Sequence, residues 1–289
     1  MEIAGRKVNY ADVGEGEAQS VVFVHGLGGN WQNWLENVLP TAQDRRVLAL
    51  DLPGFGDSEM PAEDISITGY AKLVDEFCDR LDLGAVAVVG NSMGGFIAAE
   101  MAIVMPARTD RIALVAAAGI SSTHLSRRPL ETAARYVAAV SDHAAARSRQ
   151  IAVRSRLRHA VLSPILRHPT RLRADFSYEI LRGAGHPGYA AALSALMRYD
   201  YRDRLPEIGC PALVIWGEKD GLVPLKDADE YERIIPDARK VILDDTGHMP
   251  MAERPATFQR CLMQFLDEEG EARDNLGGAG DAAAEIAAT

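Results

Sequence analysis

The sequence predicts an α/β fold in which a mostly parallel central sheet is flanked by helices and interrupted by an inserted α-helical block. Three observations predict it. Short apolar runs alternate with stretches whose apolar residues recur at helical spacing, the pattern of repeated strand and helix units. One such run begins at Val86, ends in Gly90-Asn91-Ser92-Met93-Gly94, and passes directly into an Ala/Met/Ile-rich helical stretch, placing a serine at a strand-to-helix turn. Residues 121–205 carry fifteen arginines against six acidic residues, a net +9 within a chain of net charge −10, which leaves −19 on the remainder. A reversal of that size marks a compositional boundary.

Each element follows from local pattern. Residues 2–13 hold two short alternating segments around Gly5, the mark of a β-hairpin, followed by the turn Gly14-Glu15-Gly16-Glu17. Ser20–Val24 reads as a central strand buried on both faces and ends in His25-Gly26-Leu27-Gly28-Gly29, a loop position where open α/β sheets bind ligands. A helical stretch with Trp31, Trp34 and Leu35 leads to Pro40, and Arg46–Leu50 is the next strand, ending in Asp51-Leu52-Pro53-Gly54-Phe55-Gly56-Asp57-Ser58. Tyr70, Leu73, Val74 and Phe77 give Thr68–Leu81 an apolar helical stripe that feeds the Val86 strand. Arg111–Ala116 is a further strand. From Gly119 to about Leu205 the pattern turns wholly helical, broken at Pro129, Pro164, Pro169 and Gly183-Ala184-Gly185-His186-Pro187-Gly188. Alternation then resumes with strands Pro211–Trp216 and Lys240–Leu243 and helices Asp227–Ile235 and Pro255–Leu266. The expected organisation is a core of residues 1–120 and 206–269, a helical insertion of 121–205, and a disordered tail of 270–289 that lacks aromatics and apolar periodicity.

Composition narrows the function classes. A chain of 289 residues buries roughly three quarters of its unfolded surface and needs no staples. Three widely spaced cysteines, Cys78, Cys210 and Cys261, argue against a disulfide framework and for a reducing compartment. No charged-then-apolar leader and no apolar run of spanning length is present, so a soluble cytoplasmic protein with no integral membrane segment is expected. The acidic balance opposes nucleic-acid binding. Arg147, Arg154 and Arg158 share a helical face that acidic membranes would attract, although a solvated face is the commoner explanation. A monomer and a homodimer are both compatible with the sequence.

The chemistry centres on Ser92. Glycines two residues before and after let backbones pass too close for side chains, which lifts the hydroxyl clear of the sheet edge, and the amide of Met93 at the helix start points where an oxyanion would develop. A serine hydroxyl needs a base, and the base an orienting acid, at neighbouring strand ends. Asp220 lies just past the Pro211–Trp216 strand and His248 just past the Lys240–Leu243 strand. Glu218 and Asp245 are alternative acids at this stage. His25 lacks a second ligand at metal spacing and is expected to be a structural hydrogen-bonder; neither metal nor cofactor is called for. Asp51 and Asp57 are expected to hold loop conformation. Gly28, Trp31 and Met249 are the candidate substrate contacts.

The order Ser, Asp, His and the set His25-Gly26-Leu27-Gly28, Asp51 through Ser58, Gly90 through Gly95, Gly217-Glu218-Lys219-Asp220 and Gly247-His248 resemble the α/β-hydrolase superfamily over residues 1 to about 268. The resemblance implies Ser92 as nucleophile, His248 as general base and then acid, Asp220 as the group fixing the imidazole tautomer, and the backbone amides of Leu27 and Met93 as the oxyanion hole. It also implies that residues 121–205 form a lid over the site. Serine at the elbow argues against the dehalogenase and epoxide-hydrolase branches, which use aspartate there. Gly90 through Gly95 is similar to the elbow of meta-cleavage-product hydrolases, which break carbon–carbon bonds; that family carries Trp after the catalytic histidine, whereas Met249 stands here. A small-molecule ester is therefore the expected substrate, with lactone or C–C hydrolysis as alternatives, perhydrolysis as a side reaction, and a non-catalytic ligand receptor as the reading from another class.

Overall fold

The computed structural model describes residues 1–121 and 146–268. Its main sheet has seven strands in the order β3-β5-β4-β6-β7-β8-β9: β3 Tyr10–Val13, β4 Ala18–Val24, β5 Arg45–Leu50, β6 Val86–Asn91, β7 Thr109–Val115, β8 Ala212–Gly217 and β9 Ala238–Leu243. All neighbours are parallel except β3, which runs antiparallel to β5. The expected hairpin is shorter than residues 2–13: β1 Glu2–Ile3 pairs with β2 Arg6–Lys7 around Gly5, whose φ is +70°, and Tyr10–Val13 instead extends the main sheet. The edge of β5 offers those residues a full ladder, from Tyr10 opposite Leu50 to Val13 opposite Val47.

Why these runs are strands is visible in their parity. Val22, Val24, Leu48, Leu50, Val88, Leu114 and Val214 face one core, and Val21, Phe23, Val47, Ala49, Val89, Val115 and Ile215 face the other. Successive side chains point to opposite faces of a strand, so a run buried on both sides must be apolar throughout. Helix α1 (Leu35–Thr41) and Pro255–Leu266 cover one face, and α2 (Ile67–Arg80) and α3 (Met93–Val104) the other. Ser66 caps α2 by accepting the Gly69 amide at 3.0 Å, and Tyr70, Val74 and Phe77 are buried at the predicted spacing. Apart from Glu100, α3 is apolar all round, and it is buried from Met93 to Ile103, wedged beneath the turn at Ser92.

Among the described residues, four α-helices separate β7 from β8: Ser148–Val153, Ser155–Leu162, Ala174–Arg182 and Tyr189–Arg198. The predicted insertion falls in part on residues outside the described ones, His124 and His143 among them, and so does the predicted tail from 270. No described helix is long and apolar enough to cross a membrane. Arg158 departs from the expected solvated face. It is buried, and its guanidinium donates to the carbonyls of Ala152 at 2.8 Å and Thr170 at 3.2 Å, because the break at Arg154 leaves a helix-end carbonyl to satisfy.

Candidate active site

Ser92 stands between β6 and α3 with φ +54° and ψ −115°, a conformation a side-chain-bearing residue adopts only when its surroundings enforce it. The enforcement comes from both sides. Ser92 donates its amide to the Val115 carbonyl at 2.9 Å, and its own carbonyl accepts from Phe96 and Ala118. A Cβ on Gly90 would lie 2.1 Å from the Gly94 carbonyl oxygen, and one on Gly94 would lie 2.2 Å from that of Val24. Those approaches explain why the turn requires glycine at both places.

The loops after β8 and β9 converge on the same edge. A Cβ on Gly217 would meet the Gly247 carbonyl oxygen at 2.1 Å, so these two loops pack backbone against backbone. His248 Nδ1 lies 2.7 Å from Asp220 Oδ2, and both side chains are almost wholly buried. The other Asp220 oxygen accepts the amides of Leu222 and Val223 at 2.8 and 3.0 Å, which holds the carboxyl group aimed at the imidazole. With Asp220 accepting at Nδ1, the imidazole carries its proton there and turns Nε2 outward as the basic nitrogen. The alternative acids are engaged elsewhere. Glu218 accepts from Lys219 and the Asp245 amide, and Asp245 pairs with Arg167 and His168. The Ser92 hydroxyl makes no hydrogen bond to the imidazole among the described residues; in unliganded sites that bond is commonly long and tightens with substrate.

Ser92 and His248 open into one cavity of about 830 Å³, walled by Leu162, Ile165, Leu181, Leu193 and Leu196 of the helical block. Leu27, Gly28 and Met249 line it. Gly26–Gly29 is a tight turn, with the Gly29 amide bonded to the Gly26 carbonyl at 2.9 Å and Gly28 at φ +72° as a type II turn requires. Met93 is the first residue of α3, so its amide has no acceptor within the helix. Trp31 is a correction, since it does not line the cavity. Its amide is tied to Asp51 at 2.7 Å in a short 3-10 turn capped by Asn30, and its side chain packs against the core cluster that holds Phe23 and Trp34.

Residues that carry no obvious chemical signal hold these loops in place. Asn91 donates to the carbonyls of Val115 at 3.0 Å and His248 at 3.2 Å, tying the His248 loop to the elbow. The His248 amide donates to Ile165 in the helical block at 2.8 Å. Glu253 accepts the amides of Gly247, Arg167 and His168, which clamps the same loop to the block; burial raises its carboxyl above the usual range. The Gly183 to Gly188 run, read in the sequence only as a break, packs backbone on backbone with the loops after β4 and β5: Gly188 donates to the Gly54 carbonyl at 3.0 Å, and a Cβ on Gly183 would fall 1.4 Å from the Gly28 oxygen. Its four small residues in six were the available signal. His25 is structural. Nδ1 donates to the Gly26 carbonyl at 2.7 Å and Nε2 accepts the Leu52 amide at 3.0 Å, which fixes a neutral ring whose pKa burial lowers. Asp51 accepts from Asn9, Trp31 and Asp57 and so holds its loop.

Sheet order, strained elbow and buried Asp–His pair define the class: a hydrolase of the α/β type. The chain belongs to the alpha/beta hydrolase fold family, whose model matches residues 19–255. It is 32% identical over 276 residues to the dihydrolipoyllysine-residue acetyltransferase component of the acetoin cleaving system of Cupriavidus necator, covering 92% of this chain and 68% of that protein. It is 28% identical to the 2-hydroxy-6-oxo-6-phenylhexa-2,4-dienoate hydrolase of Comamonas testosteroni, covering 90% of this chain and 91% of that one. Among solved structures, the enol-lactonase from Burkholderia xenovorans LB400 superposes with a TM-score of 0.75 at 26% identity, covering 92% of this chain and 98% of that chain.

Proposed function

We propose that the protein is a serine hydrolase that cleaves carboxylic esters through an acyl-enzyme at Ser92. The observation that carries this reading is the Asp220–His248 pair, oriented at 2.7 Å beside a serine on a strained elbow in a shared apolar cavity. Ser92 Oγ attacks the carbonyl carbon while His248 Nε2 takes its proton, and Asp220 stabilises the imidazolium. The amides of Leu27 and Met93 receive the oxyanion, each donor contributing about 3 to 4 kcal/mol to the transition state. Collapse expels the alkoxide, which leaves with the proton from Nε2. Water then repeats the sequence on the acyl-enzyme. The described helices between β7 and β8 act as the lid that supplies the apolar wall.

A second reading, C–C hydrolysis of a ring-fission dienoate, is favoured by one observation: Lys226 stands at the cavity with no ion-pair partner among the described residues and would suit a substrate carboxylate. Met249 in the cavity wall, where that family carries tryptophan, counts against it.

A p-nitrophenyl ester series of rising chain length, run on wild type and Ser92→Ala with a dienoate alongside, tests both. The expected result is ester turnover that falls about a thousandfold or more in Ser92→Ala. Undiminished turnover in that variant removes Ser92 as nucleophile; rapid dienoate cleavage with slow ester turnover selects the second reading; binding without turnover selects a receptor.

A further inference from the structure

Four of the seven large apolar side chains that stand exposed among the described residues gather at one place: Val153, Leu157, Val161 and Leu222. Their exposure is imposed by packing. On the helix Ser155–Leu162, Arg158 and Leu162 are buried, so the helix cannot rotate to hide Leu157 and Val161, which lie four apart on its outer side. The loop bearing Leu222 is drawn to the end of that helix, because a Cβ on Gly221 would lie 2.6 Å from the Pro164 carbonyl oxygen. Val161 and Leu222 also line the cavity that holds Ser92 and His248, so the outer apolar surface continues into the cavity wall. The remaining three exposed residues, Leu35, Leu39 and Met60, do not touch that cavity.

Charge identifies the occupant. Arg154 and Arg156 are exposed beside the apolar row, and their guanidinium groups have no hydrogen-bond or ion-pair partner among the described residues; Arg149, also exposed, lies 5.5 Å over the Tyr178 ring. These cations sit within the one segment of net +9 on a molecule whose other segments hold −19. Apolar side chains flanked by unpaired arginines match the acyl boundary and phosphates of an anionic bilayer. A second copy docking on the same face through a two-fold axis would set these arginines against themselves. We propose that this face seats the protein on an anionic lipid surface, with the cavity mouth against the membrane. The further consequence, that lipophilic acyl substrates enter Ser92's cavity from the bilayer, rests on the hydrolase reading; the docking itself does not.

The test is sedimentation with phosphatidylglycerol or phosphatidylcholine vesicles at about 0.1 M salt, near the physiological screening length. Wild type is compared with Val153→Ser/Leu157→Ser and Arg154→Gln/Arg156→Gln, none of which lines the cavity. Thermal melting verifies that each variant folds. The expected result is binding of wild type to phosphatidylglycerol and not to phosphatidylcholine, weakened about tenfold in each double variant. Absence of vesicle binding by wild type, or equal binding by all three proteins, overturns the proposal. Concentration-dependent dimerisation abolished by Val153→Ser/Leu157→Ser overturns it in favour of a second copy. Since the readout is partition and not turnover, an inactive Ser92 leaves the result interpretable.

Discussion

His25 shows how a residue beside the chemistry can serve it without joining it. Both ring nitrogens are committed, one donating to Gly26 and the other accepting from Leu52, and the ring stands edge-on to Phe55 at 5.5 Å. Protonation would turn the accepting nitrogen into a donor facing another donor in a fully buried site. Its pKa is accordingly lowered by burial, and that of His186, on the far side of Phe55, is lowered for the same leading reason. A histidine whose folded pKa lies below its unfolded value contributes stability that is fully present above about pH 6.5 and is lost as pH falls below it. Urea unfolding between about pH 7 and 5.5 should show stability falling by up to about 1.4 kcal/mol per pH unit for each such ring, with a shallower slope in His25→Gln. A slope unchanged by that substitution would show that the buried ring titrates normally. The composition of the 25–29 loop exposed His25 as a structural residue, but its two partners were not legible, because Leu52 lies on another strand end.

At the scale of elements, what matters is how the helical block is fastened to the His248 loop. Ile165, Arg167 and His168 all bond to the segment 245–253, and Asp245 does so with φ +47°. Arg167 first, and then His168, hold the Asp245 carboxyl down to about 2. A lowered carboxylate contributes stability present above about pH 4 and lost as pH falls towards 2. Asparagine tolerates the same left-handed backbone, so Asp245→Asn removes charge with little strain. Its melting temperature should lie below wild type near pH 6, and the gap should close near pH 2 and shrink in high salt, since the pair is exposed. A gap of constant size at every pH would mean that shape and not charge fastens the block. Strand positions and the order of the site residues were readable because apolar runs, glycines and chain order are local signals. The faces of the inserted helices were not: whether Arg158 or Arg156 points inward depends on carbonyls at 152 and 170, which no spacing reveals. Trp31 failed as a pocket residue for a similar reason, since Asp51 twenty residues away fixes its turn.

At the scale of the whole molecule, one buried acidic side chain ties together three segments that pack on the same face of the sheet. Glu100 on α3 accepts from Thr68 on α2 at 2.7 Å and from Tyr199 after the last helix of the block at 2.8 Å, with Arg204 at 3.8 Å. Removing it leaves the half-buried Thr68 and Tyr199 hydroxyls without this acceptor, whereas Arg204 keeps its pair with Glu207. Glu100→Ala should cost about 2 to 3 kcal/mol in chemical unfolding, with Glu100→Gln costing less because an amide oxygen can still accept. A loss under about 1 kcal/mol in the alanine variant would show that this strut is redundant. Placement along the chain has a further consequence. The strands β3 to β7 and the Ser92 elbow are complete by residue 115, whereas His248 and its clamp Glu253 are made more than 130 residues later. If Ser92 and His248 act as proposed, a chain still in synthesis, or clipped from the carboxyl end, carries the serine without the histidine that takes its proton, and activity waits for the last part of the fold.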